Sequence, residues 1–214
     1  MSAVVFRVDG TTVQQRKQAA YKLEYAVRPR GGRDVVYAGR GMPTGYKSQD
    51  LRPRFTLYTD LEGRQPLCVV ARPVTGRAGG DRVLLVIDPQ GATLGAVHMP
   101  TKREWWRQRH EIRLPRGDRL SGRVGTIPSW IMFALLSPLW LVVNLMLAVS
   151  QGGLDDMYWS LPKRTAWRPR PGGTSGLSPL KFYGLTERYK VRTHRLDLRV
   201  AYAQAVLHHQ VSPK

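Results

Sequence analysis

The chain has 214 residues, 42% of them apolar, which is enough to build a core and too much for a wholly disordered chain. Its 34 Lys and Arg against 15 Asp and Glu give a formal charge of +19, a field that any polyanion feels at long range, so nucleic acid and anionic lipid are the partners to weigh. The single cysteine, Cys68, excludes an internal disulfide, and its place in the apolar run LCVVA reads as a small buried hydrophobe in a reducing compartment.

In chain order, MSAVVFRVDG lacks the long apolar run of a secretory signal, and residues 1–19 read as an N-terminal extension ahead of a domain covering 20–214. YKLEYAV and DVVYAGRG flank turn residues around Gly31 and Gly32, which predicts a hairpin. Two related units follow, FTLYTDLEGRQPLCVV and VLLVIDPQGATLGAV. Each is a β-rich apolar run, an Asp, two residues, a Gly and a second β-rich run. Asp60 to Gly63 and Asp88 to Gly91 suit hairpin turns, because an Asp side chain caps its own turn and Gly is free to take positive φ. That role accounts for these aspartates without metal ligation. EIRLPRGDRLSGRV, turning at Gly117, is a degraded third copy, so the first 125 residues predict a β-meander.

Residues 128–150 read PSWIMFALLSPLWLVVNLMLAVS, and no charged residue occurs from Val124 to Leu154. As one helix this stretch would extend about 35 Å, long enough to cross a bilayer. Trp130 suits an interfacial belt near one end, Trp140 and Asn144 lie mid-stretch, and Pro138 after Ser137 predicts a break near the centre. Three readings stay open for this insertion at 126–154. It forms a re-entrant or monotopic helical hairpin, a single span, or a segment buried against the rest of the fold, a partner or its own copy. The preferred reading is the hairpin, because both flanks are basic on balance, which by the positive-inside tendency places both termini on the cytoplasmic side.

Ahead of the insertion, TKREWWRQRHEIR combines Lys102, Arg103, Arg107 and Arg109 with Trp105 and Trp106. Tryptophan prefers the headgroup region, and each cation near an anionic leaflet adds about 1 kcal/mol of attraction. The alternative is a long strand with one tryptophan in the core and solvated arginines outside. Behind the insertion, LPKRTAWRPRPGGTSG supplies Lys163, Arg164, Arg168 and Arg170, in a composition that also suits a plain polar loop. These eight cations, with Trp105, Trp106, Trp130 and Trp140, are the candidate lipid-binding residues.

At the C-terminal end, LKFYGLTERYKVRT alternates as a strand pair. In HRLDLRVAYAQAVLHHQ, Leu196, Val200, Ala203 and Leu207 share one helical face, which Ala201, Ala205 and Val206 widen. A narrow helix that is apolar over most of its girth must be buried on most sides. A curved antiparallel sheet closing around it would do this and remove exposed strand edges. The expected fold is therefore mainly β, an antiparallel barrel around a helix at about 195–209, with an inserted apolar helical hairpin.

The Asp-x-x-Gly strand units and the terminal LDLRVAYAQAVLHH resemble the tubby C-terminal-like superfamily, particularly its LURP-one-related and phospholipid scramblase-like members, over about 20–125 and 155–210. The resemblance implies a twelve-stranded antiparallel barrel wrapped around the terminal helix, and membrane or phosphoinositide association. The chain departs from the scramblases in having no Asp-x-Asp-x-Asp run and one cysteine, so calcium-driven scrambling has no visible basis.

Nucleic-acid binding is disfavoured, since no zinc-ligand set, RNP-like strand signature or basic recognition helix accompanies the charge. Enzymatic chemistry is not expected: no phosphate loop or nucleophile elbow occurs, and His208 and His209 read as imidazoles at the negative end of a helix dipole rather than metal ligands. No cofactor or metal is expected. The expected partner is an anionic phospholipid membrane, with a protein partner or homodimer as the alternative.

Overall fold

A computed structural model describes residues 3–40, 43, 50–74, 82–100, 109–124, 164–169 and 178–211, together with the single positions 131, 134, 135, 137, 138, 142 and 146. The first strand, β1 (Ala3–Gly10), leads through the short helix α1 (Val13–Gln18) into β2 (Lys22–Pro29) and β3 (Val36–Arg40). Then come β4 (Leu51–Tyr58), β5 (Pro66–Pro73), β6 (Val83–Ile87), β7 (Thr93–His98), β8 (Arg109–Arg113) and β9 (Arg119–Val124). After the insertion follow β10 (Thr165–Pro169), β11 (Leu180–Tyr183), β12 (Arg188–Arg192) and the helix α2 (Leu198–Val211). Each strand pairs antiparallel with its chain neighbours, and β1 pairs with β12 to close a barrel of twelve strands.

The turns follow the expected chemistry. Asp60 accepts from the Arg64 and Gln65 amides, both at 2.9 Å, and Asp88 from the Ala92 amide at 2.7 Å, while Gly63 and Gly91 take φ of 73° and 92°. With these turns fixing register, every strand sends alternate side chains inward. Val4 and Phe6, Phe55 and Leu57, Val70, Val86, Ile112 and Leu180 are among those that meet Val200, Ala201, Ala203, Val206 and Leu207 of α2 in one cluster. The cluster around α2 is largely apolar, and among the described residues no Lys, Arg, Asp or Glu is buried, whereas a barrel that crosses a bilayer carries its apolar band outward.

Two expectations are corrected. Residues 1–19 are not an extension, because Ala3–Gly10 is the strand that closes the barrel. Val4 lies opposite Val191 and Val8 opposite Val27, and Val4, Phe6 and Val8 point into the core. The terminal helix starts at Leu198 rather than near 195, because Asp197 caps it: its carboxylate accepts from the Arg199 amide at 2.8 Å, and Leu196 is buried just before the cap. Burial pushes the Asp197 carboxyl up, and the hydrogen bonds from Arg199 outweigh this and hold it below the usual carboxylate value. Asp197→Ala should cost about 1 kcal/mol, read as a lower midpoint in denaturant unfolding with the slope unchanged.

Cys68 is fully buried, as expected, and burial pushes its thiol up to about 12. It should resist thiol reagents in the folded protein and react stoichiometrically once the chain is unfolded.

Candidate functional site

In an up-and-down barrel, successive connections alternate between its two ends. The connections at residues 30–35, 59–65, 88–92, 114–118, 170–179 and 193–197 therefore lie at one end. The other end receives 11–21, 41–50, 74–82, 99–108, 125–164 and 184–187, together with the end of α2. The tryptophan-bearing segment before β8 and the apolar insertion thus leave the barrel from one mouth. Val124 of β9 and Thr165 of β10 lie directly opposite in the ladder, so the insertion departs and returns at one point.

Most of the predicted site residues lie outside the described residues. These are Lys102, Arg103, Trp105, Trp106, Arg107, Trp130, Trp140, Lys163 and Arg170, and most of the expected hairpin lies there too. Within the insertion, Ile131, Ala134, Leu135, Ser137, Pro138, Val142 and Met146 are helical, so the break expected at Ser137 and Pro138 does not fall on those two residues. Ile131, Leu135, Val142 and Met146 are 55%, 70%, 48% and 69% exposed. Among the described residues no helix is long and apolar enough to cross a membrane.

Three predicted cations are placed. Arg109 donates from Nε to the Ser121 hydroxyl at 3.2 Å, and Arg168 lies opposite Ser121 in the ladder, so both converge on β9. Arg164 is exposed just before β10, its guanidinium 5.4 Å from the centroid of the Tyr183 ring.

The fold adds cations that the sequence reading missed. Strands β8 to β12 carry Arg109, Arg113, Arg119, Arg123, Arg168, Lys181, Arg188, Lys190 and Arg192 against one acid, Glu111. Arg109 is set opposite Arg123 and Lys181 opposite Lys190. Like charges directly opposite on a sheet are destabilising, so this sector carries a repulsion that an anionic surface would relieve. Arg123 apart, only Arg113 of these cations has a carboxylate partner among the described residues, Glu111 at 3.1 Å. The signal was present as the alternating cations of RHEIR and RYKVR, but their union into one sector depends on strand pairing.

Inside the same mouth lies a buried polar and aromatic cluster. Gly122 of β9 has no side chain, and the Trp167 indole occupies that space, at 2.9 Å from where a Cβ would stand. This lets the indole approach His110 of β8, at 6.1 Å between centroids. His208 of α2 stands 4.9 Å from His110, 5.7 Å from Trp167 and 4.8 Å from Phe182. Its Nδ1 shares a 2.9 Å hydrogen bond with the Tyr189 hydroxyl, and Gln204 Nε2 donates to His110 Nδ1 at 3.3 Å. Burial pushes His110 down to about 4; burial, then His110 and His209, hold His208 well below its ordinary value. His208 is therefore neutral and buried, not a charge complementing the helix dipole, which corrects that expectation. His209 turns instead toward Tyr25, 5.5 Å between ring centroids. Among the described residues no group of three or more His, Cys, Asp or Glu could hold a metal ion.

No family model matches the chain, and neither does any curated protein or solved structure. The class these features define is thus an architectural one, a closed twelve-strand barrel filled by its own C-terminal helix, with an apolar insertion between β9 and β10 and a basic sector across β8 to β12.

Proposed function

We propose that the protein is a non-catalytic, membrane-associated lipid-binding protein of tubby or scramblase-like type, held at the cytoplasmic leaflet by the 126–154 insertion and the basic residues around it. The observation that carries this reading is the exposure of four large apolar side chains of the insertion, Ile131, Leu135, Val142 and Met146. Fully burying such a side chain gains roughly 1.5–3 kcal/mol, so four of them left in water mark a surface that is covered in use. Hydrocarbon is the cover we favour, because cations crowd the strands on both sides of the insertion, where an anionic leaflet would meet them. A single crossing within 125–164 fits poorly, since it would have to part Val124 from Thr165 and open the barrel. A hairpin or an in-plane helix leaves that pairing intact.

Flotation of the purified full chain with vesicles tests the reading. Binding to vesicles containing phosphatidylserine should exceed binding to neutral phosphatidylcholine vesicles, and a fraction should resist 1 M salt, where the Debye length falls to about 3 Å. Full release by salt would remove the apolar insertion from the account. Failure to float with either vesicle, with a stable dimer in solution, would favour the reading in which a second copy covers these side chains.

A further inference from the structure

Membrane attachment gives no role to the buried pair His110 and His208. Both are almost fully enclosed, and His110 Nε2, His208 Nε2, Trp167 Nε1 and Gln204 Oε1 have no hydrogen-bond partner among the described residues. Buried polar groups left unsatisfied are costly to keep dry. Withdrawing the end of α2 would let water satisfy all four. The groups facing the two rings offer no compensation for a positive charge. From β9 comes Gly122, from β10 Trp167, and from β11 Phe182; none of these titrates. From β12 comes the Tyr189 phenol, which burial keeps protonated, and α2 itself adds Gln204 and His209. Among the described residues no carboxylate acts on either ring, and each histidine, once charged, repels the other across 4.9 Å between ring centroids.

We propose that His110 and His208 form an acid-operated latch: both rings are neutral while α2 is seated, and their protonation as the medium acidifies unseats the C-terminal half of α2 and opens the barrel at the mouth that carries the insertion. The sign follows from linkage. A histidine whose value is lowered by burial takes up its proton on opening, so the seated state is fully stable above about 6.5, the unperturbed value. It loses that stability as the pH falls from there toward the buried values, about 4 for His110. Between pH 6 and 5, two protons taken up on opening raise the open population about 50-fold, and one proton about sevenfold. The window between pH 6 and 5 isolates the effect, because it lies above the ordinary carboxylate range.

The test is hydrogen exchange of the α2 amides in the full chain between pH 6 and 5, corrected for the intrinsic pH dependence of exchange. Between pH 6 and 5 the wild type should lose protection in residues 204–211 about 50-fold, His208→Phe about sevenfold, and the double variant with His110→Phe should be flat. Phenylalanine suits the aromatic walls. Should a variant fail to fold, the imidazole resonances of the wild type decide: both rings neutral at pH 5.5 in the seated state supports the latch. A wild-type response of tenfold or less per pH unit, variants that follow the wild type, or a protonated ring with α2 still protected would each overturn it.

Discussion

Arginine in place of Ala203 or Ala205 is expected to abolish folding. Both alanines are completely buried on α2, in the cluster formed with the inward residues of the strands. A guanidinium there would be an unpaired charge among apolar neighbours, worth several kcal/mol, and its length would overpack the space a fully buried alanine occupies. Total stabilities of domains are about 5–15 kcal/mol, so a loss of this size leaves little or no folded protein at 25 °C. Circular dichroism and thermal melting would check it, with Val13→Arg, at a position 69% exposed, as the tolerated control. Unchanged melting of the Ala203 or Ala205 variants would mean that α2 does not fill the barrel.

The second large effect concerns the insertion. Deleting 128–150 removes the exposed apolar side chains and leaves both β9 and β10, whose pairing carries the strand order past that point. The remaining connection only has to link the ends of two adjacent antiparallel strands, about 5 Å apart, so closure costs little. The shortened protein should fold with unchanged β content and move from the membrane pellet to the soluble fraction. What binding remains should be electrostatic and disappear at high salt. An insoluble product would place the stretch in the core of the fold instead.

The parts of this fold that were legible in the sequence were those fixed by local chemistry. Asp60 with Gly63 and Asp88 with Gly91 announce their hairpins within four residues, and the alanines of VAYAQA announce a helix with crowded neighbours on nearly every side. Register-dependent features were hidden. β1 pairs with β12, some 185 residues further along the chain, and no turn motif joins them, so only the inward alternation of Val4, Phe6 and Val8 hinted at a strand. The basic sector was half read. The segments next to the insertion were singled out, but Lys181 and Lys190 join it only because β11 and β12 lie beside β10. His208 was misjudged because a histidine near a helix end ordinarily meets solvent, whereas this helix ends inside a ring of aromatic side chains.

The central claim is attachment to one face of a membrane by an insertion that returns to its starting side, and the location of the two termini tests it most directly. Because Cys68, the chain's only cysteine, is buried, a cysteine added at either terminus can be labelled selectively. Each of the two single-cysteine proteins would be treated in intact cells with a membrane-impermeant thiol reagent, and again after the plasma membrane is permeabilised. Both termini should stay unlabelled in intact cells and react only after permeabilisation, in a protein that sediments with membranes. One terminus reacting in intact cells and the other only after permeabilisation would contradict the account, because β1 and β12 could not then belong to one closed barrel.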